Sequence, residues 1–248
     1  MAYSLEETRF FGNTDPAQLV ETYGSPLYVY NENILRTRCR EMADLVGRPN
    51  FRVNYSTKAN SNPALLKIVR EEGLCADAMS PGEIHVLLEA GFEPGEIFYI
   101  GNNVSAEEMA FAVERNITVS VDSLSQLEMV GKNHPGARVA VRLNPGVGAG
   151  HHEKVVTAGK KTKFGINLDK VDEVLEIAIC YGLTIVGVNQ HIGSLFMTGE
   201  AYAEAVSVVL DAARRFPELQ FVDLGGGFGI PYRKQEGEER LNLSDLGR

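Results

Sequence analysis

FRVNYSTKANSNPALLKIVREEGLCADAMSPGEIHVLLEAG, residues 51–91, states the same grammar twice. FRVNYS (51–56) is a β-type run that stops at a helix start. PALLKIVREEG (63–73) then opens on proline, spaces its apolar residues helically and ends on glycine. LCADAM (74–79) and PGEIHVLLEAG (81–91) repeat the pair. Strands and helices joined by connections this short imply parallel strands linked by right-handed crossovers.

The same unit runs on through the chain. β-type runs recur at IFYIG (97–101), ITVSVD (117–122), RVAVRLN (138–144), TIVGVNQH (184–191) and QFVDLGG (220–226). Helical stretches separate them at 105–116, 123–133, 170–182 and 199–216. Several strands read as nearly continuous apolar runs, the pattern of a sheet covered on both faces. The spacing suits a closed barrel or an open doubly wound sheet. Polar residues favour the barrel, because Lys58, Asp77, Asn102, Asp122, Asn144, His191 and Gly225–Gly227 collect at strand ends. One ring of carboxyl-terminal loops builds the site of a barrel.

The expected fold is therefore α/β, a (β/α)8-type barrel, with one domain over residues 1–248. Residues 1–49 form a leading segment, 50–232 hold seven βα units, and 233–248 form a charged tail. That tail is too poor in apolar residues to supply an eighth buried strand. In the leading segment, PAQLVETYG (16–24) and NILRTRCREMADLV (33–46) read as helical, and PLYVY (26–30) is the other candidate to close the ring. The expectation is a barrel truncated before strand eight.

Composition narrows the class. The 24 basic and 33 acidic residues give a formal net charge of -9. That argues against nucleic acid or an anionic membrane as the main partner. Cys39, Cys75 and Cys180 lack CxxC spacing, so neither a disulfide framework nor a structural zinc site is expected. The charged N-terminus shows no secretory signal, and no apolar run approaches the ~20 residues of a membrane span. A cytoplasmic protein is expected.

Three segments carry chemistry. Lys58 ends its β-run, with Asn60 and Ser61 following as helix caps; there it would project into the barrel mouth, where desolvation readies an amine for imine chemistry. The plain alternative is a surface lysine. DLGGGFG (223–229) lets backbone N–H groups approach an anion without hindrance from Cβ atoms, as in phosphate cradles. A flexible turn is its alternative. His191 precedes Gly193 and Ser194, so its ring could lie flat on a planar ligand while Ser194 donates to phosphate. The loop over 144–165 is glycine-rich, and its lysines and histidines suit a substrate carrying carboxylates. Its His151-His152-Glu153 is the one cluster to test for metal, but adjacent histidines do not readily share an ion, and no metal is expected.

As a set, YGSPLYVY (23–30), NYSTKAN (54–60), CADAMSPGE (75–83), VDS (121–123), RLNP (142–145), TKFGI (162–166), QHIGS (190–194) and DLGGGFGIPY (223–232) resemble the fold-type III pyridoxal-phosphate decarboxylases. The barrel is of the alanine racemase and ornithine decarboxylase type, and the likeness is greatest to members acting on diaminopimelate. The resemblance implies pyridoxal 5'-phosphate as cofactor and Lys58 as its covalent anchor. It implies His191 stacked on the ring, Asp77 beside the lysine and Arg142 behind the ring. Ser194, Gly225, Gly226 and Gly227 would hold the phosphate.

The implied reaction is decarboxylation of meso-2,6-diaminopimelate to L-lysine, in lysine biosynthesis, by a homodimer binding a small amino-acid substrate. Family members continue with an eighth strand and a β-domain that this sequence lacks, so the chain is expected to be an incomplete form and a poor decarboxylase alone. Three alternatives stand beside this. One is a decarboxylase of ornithine, lysine, arginine or carboxynorspermidine, another a non-catalytic pyridoxal-phosphate barrel, and the last a decoy that pairs with an intact enzyme.

Overall fold

The first six helices of this chain start at side chains that cap them, whereas the last two, after Lys170 and Gly199, have no side-chain cap among the described residues. In a computed structural model that describes residues 10–147, 158–159, 162–231, 241–243 and 247, two leading helices, α1 (Pro16–Tyr23) and α2 (Glu32–Ala43), precede the sheet. Asp15 and Asn31 cap them. Then β1 (Asn54–Ser56), α3 (Pro63–Glu71), β2 (Cys75–Ala78) and α4 (Pro81–Glu89) form the twice-stated unit. Asn62 and Ser80 cap α3 and α4, each followed by proline in the first turn. The α3 cap is thus Asn62, and Asn60 instead accepts the Asn62 N–H.

Strand–helix alternation continues through β3 (Ile97–Tyr99), α5 (Ala106–Val113), β4 (Thr118–Val121), α6 (Leu124–Asn133) and β5 (Arg138–Asn144). After β6 (Ile166–Asn167) come α7 (Val171–Tyr181), β7 (Thr184–Asn189), α8 (Glu200–Ala213) and β8 (Phe221–Asp223). Every pairing is parallel, in the order β1-β2-β3-β4-β5-β7-β8, with β6 on the end of β5. The seven strands of the main path fall inside the seven β-type runs of the sequence. The two-residue β6 is an addition, in the segment read as loop.

The sheet is curled. Strands β3 and β8 lie four places apart, ~19 Å across a flat sheet. Yet the rings of Phe98 and Phe221 meet edge to face, with centroids 5.4 Å apart. Gly187 makes room, since a Cβ there would lie 2.2 Å from the Phe221 ring. Deeper inside, Ser120 of β4 donates to Asn189 Oδ1 of β7 at 2.6 Å.

Alternation along the strands separates two environments. Ala76, Ala78, Ile97, Tyr99, Val119, Val121, Val139 and Val141 point outward, into a core shared with Leu66, Val69, Ile84, Leu87, Leu127 and Val174 of the helices. Between them on β1, β2, β4, β5, β7 and β8 lie Ser56, Asp77, Ser120, Arg142, Asn189 and Asp223. These polar residues line the concave face.

Among the described residues no strand pairs with the outer edge of β1 or of β8. PLYVY does not close the ring; it forms no strand, and Tyr28 is 86% exposed.

Candidate active site

The carboxyl ends of the strands open into a cavity of about 1900 Å³. Lys58, Asp77, Arg142, His191, Ser194, Gly225, Gly226 and Gly227, all expected from the sequence, line it. They come from five strand ends or the loops that follow them, so only the folded sheet brings them together. His151, His152 and Glu153 lie outside the described residues. Among the described residues no group of three His, Cys, Asp or Glu side chains is placed to hold a metal ion.

Lys58 stands in a single 3-10 turn, Thr57–Ala59, directly after β1. Thr57 is buried beneath it, but Lys58 itself is exposed. The lysine therefore reaches the cavity from its rim, and the strand end does not desolvate it as the sequence suggested.

Asp77 lies on the neighbouring strand β2, beside this turn. Ser56 donates to its Oδ2 at 2.8 Å, while Oδ1 is buried with no hydrogen-bond partner among the described residues. Burial pushes the Asp77 carboxyl up to about 6. The Ser56 bond and the Lys58 charge resist that rise, and Asp223 adds to it.

His191 follows β7 and is pushed down to about 4, first by burial and then by the charges of Arg142 and Lys58. At neutral pH it is an uncharged imidazole. Arg142 is 6% exposed. Its Nε lies 3.9 Å from Asp122 Oδ1, and its guanidinium carbon is 5.0 Å from the centre of the Phe164 ring.

The glycines are required by their neighbours. Gly225 has φ +70°, and a Cβ on it would stand 2.3 Å from the Gln190 carbonyl oxygen. Gly227 has φ +102°, and its Cβ would stand 2.0 Å from the Gly193 carbonyl oxygen. The two loops are thus pressed backbone to backbone. Gly226, between them, has nothing within 4 Å of its Cβ position. Behind them Phe196, Tyr202 and Phe228 pack as a ring cluster with centroids 5.3–5.5 Å apart. Asp223 Oδ1 accepts the Gly225 N–H at 2.8 Å and fixes the start of the turn.

Among the cavity residues that were not singled out from the sequence are Ser56, Gln190, Tyr202 and Asp223. Asp223 begins the quoted DLGGGFG, and Ser56 is two residues before Lys58, so their proximity in sequence was the available signal. Gln190 is 1% exposed, donates to the Leu224 carbonyl and keeps Oε1 without a partner among the described residues.

Residues 32–246 match the family model described as pyridoxal-dependent decarboxylase, pyridoxal binding domain. The chain belongs to that family. Among curated relatives, the diaminopimelate decarboxylase of Methanothermobacter thermautotrophicus is 41% identical over 95% of this chain and 56% of its own length. That of Aquifex aeolicus is 34% identical over 92% of this chain and 57% of its own length. The chain thus spans a little over half the length of these relatives. The crystal structure of Helicobacter pylori diaminopimelate decarboxylase complexed with L-lysine superposes with a TM-score of 0.88 at 30% identity, covering 94% of this chain and 61% of that one. A Chlorella virus arginine decarboxylase, at 21% identity and a TM-score of 0.75, shares the fold.

Pyridoxal-dependent decarboxylases carry pyridoxal 5'-phosphate, and the cavity residues fit it. The crowded Gly225 and Gly227 with the open Gly226 form a cradle that a Cβ would fill, and Ser194 adds a hydroxyl, a donor set suited to phosphate. The buried, unpartnered Asp77 Oδ1 and Gln190 Oε1 are polar atoms whose partners a polar ligand can supply. Lys58 brings the amine that an aldehyde needs.

Proposed function

We propose that the protein decarboxylates meso-2,6-diaminopimelate to L-lysine with pyridoxal 5'-phosphate, using this cavity. One observation carries the reading: an amine, a neutral imidazole, two acids, an arginine and a glycine cradle from separate strands converge on one cavity. Relatives named for this reaction support the substrate.

In this reading Lys58 would hold the cofactor aldehyde through its amine, from an exposed place at the cavity rim that a substrate amine can also reach. Gly225–Gly227 and Ser194 hold the phosphate. His191, kept neutral by burial and by nearby cations, lies flat against the ring without adding charge. Asp77, close to Lys58, holds a proton near the amine and shares it around its pKa of about 6. When bound, the pyridoxal ring accepts the electron pair left as the carboxylate departs. Homodimerisation and a cytoplasmic setting belong to the same reading. The three free cysteines support the second, and light scattering tests the first.

The test is pyridoxal phosphate uptake by the chain and by Lys58→Ala. Absorbance in the visible range and a borohydride-fixed label mapped to Lys58 are expected in the parent alone. A label that survives Lys58→Ala overturns the lysine assignment. Carbon dioxide release from diaminopimelate, with ornithine, lysine and arginine in parallel, then tests the substrate.

A further inference from the structure

Asp122 directly follows β4, and its carboxylate meets two groups that lie far apart in sequence. Its Oδ1 accepts the Gly165 N–H at 2.8 Å and stands 3.9 Å from Arg142 Nε. The mount is rigid, because the Asp122 N–H is itself held by Gln126 Oε1 at 2.7 Å. Both side chains of the Asp122–Arg142 pair are largely shielded, 13% and 8% exposed.

Gly165 is seated on the strand that carries Arg142. It has φ +78°, and a Cβ there would lie 3.1 Å from Asn144 N and 3.3 Å from the Arg142 carbonyl oxygen. The preceding residue, Phe164, turns its ring toward the Arg142 guanidinium. Phe164, together with Asn102, also stands between the main cavity and a smaller one of about 590 Å³, since both residues line both. Arg142, the aromatic wall and the turn bearing it therefore share one fixed point.

We propose that Asp122 is a positioning residue of the cofactor cavity, one carboxylate oxygen holding the Arg142 guanidinium and the Phe164 turn in register. This rests on the cavity being the pyridoxal site, and adds to it a residue that touches neither cofactor nor substrate. A carboxylate is needed for both tasks. An amide oxygen can still accept the Gly165 N–H, but it cannot balance a shielded guanidinium.

The chain has no tryptophan, so Phe164→Trp supplies a single indole at the wall. Asp122→Asn and Asp122→Ala are made in that background. In the cofactor-free protein, acrylamide quenching of the indole is expected to rise about twofold with Asp122→Ala and to stay near the parent with Asp122→Asn. The dissociation constant for pyridoxal phosphate, read from quenching of the same indole, is expected to rise about tenfold in both variants. Unchanged indole quenching in Asp122→Ala overturns the hold on the turn. Unchanged cofactor affinity in a folded Asp122→Asn overturns the hold on Arg142. If the parent takes up no pyridoxal phosphate, the reading of the cavity fails, while quenching in the cofactor-free protein still decides whether Asp122 holds the turn.

Discussion

Ser56 and Asp77 face one another on neighbouring strands, and the serine hydroxyl donates to Asp77 Oδ2 at 2.8 Å. This bond is the largest influence resisting the rise that burial imposes on the carboxyl. Ser56→Ala removes it and leaves the acid buried. The Asp77 midpoint is expected to move upward from about 6, by about one pH unit. Difference infrared spectra of the carboxyl stretch, with Asp77→Asn as the blank, read the midpoint directly. A midpoint unmoved by the substitution would show that the serine does not set this acid.

Asp77 and His191 oppose each other in the pH dependence of stability. The Asp77 pKa is raised on folding, so its contribution is full below the unfolded carboxyl range and is lost as pH rises to about 6. The His191 pKa is depressed to about 4, so its contribution is present above the unfolded imidazole value and is lost as pH falls. Between pH ~4 and ~6 the two slopes cancel, each about 1.4 kcal/mol per pH unit. Asp77→Asn uncovers the histidine, and its stability is expected to rise with pH relative to the parent. His191→Asn uncovers the acid and reverses the sign. Urea unfolding of the cofactor-free chain across this range measures both, and parallel curves for parent and variants would refute the cancellation.

Glycine substitutions separate packing from ligand contact. At Gly225 and Gly227 a Cβ collides with backbone oxygen at 2.3 and 2.0 Å, and both residues have positive φ. Gly225→Ala and Gly227→Ala are each expected to cost roughly 2–4 kcal/mol of stability. Gly226→Ala meets no neighbour, so its stability is expected to stay within about 0.5 kcal/mol while phosphate affinity falls. Thermal unfolding and pyridoxal phosphate titration of the three variants distinguish the roles. Equal instability at all three positions would contradict the open place of Gly226.

The strands and helices were legible because each βα unit repeats its own punctuation. Asn62-Pro63 and Ser80-Pro81 mark helix starts locally, and apolar spacing marks the faces. Of the eight candidate site residues, Lys58, His191, Ser194 and the glycines were legible because they stand at or just after strand ends, where a curled parallel sheet must gather them, while the roles of Asp77 and Arg142 came from the family resemblance. Ser56, Gln190 and Asp223 were not, since their importance comes from partners 21 to 34 residues away or from a turn geometry that no composition reveals. β6 escaped for a similar reason: two residues have no periodicity, and Ile166 and Asn167 are a strand because the end of β5 is there to pair with them. The exposure of Lys58 was misjudged because a strand end fixes where a side chain starts but not how far the following turn carries it.

Asn144, at the end of β5, gives the last prediction. It is 5% exposed and uses its whole amide. Oδ1 accepts the N–H groups of Gly146 and Gly159 at 3.0 and 2.9 Å. Nδ2 donates to the Gly159 carbonyl at 3.0 Å, to Asn167 Oδ1 at 3.3 Å and to Thr162 Oγ1 at 3.4 Å. One side chain thus pins both Gly146 and Gly159, thirteen positions apart, to the end of the strand. Asn144→Ala leaves two backbone N–H groups without this acceptor. Amide exchange at Gly146 and Gly159 is expected to accelerate about 10- to 100-fold, with the amides of β5 and β7 unchanged. Asn144→Asp keeps the acceptor and loses the donor, so it should protect Gly146 and Gly159 while the Gly159 carbonyl loses its Nδ2 partner and keeps Thr162. Hydrogen exchange resolved to these peptides reads each amide separately. Exchange that quickens throughout the sheet would mean that Asn144 supports the fold as a whole, and equal exchange in parent and variants would mean that other contacts hold Gly146 and Gly159 in place.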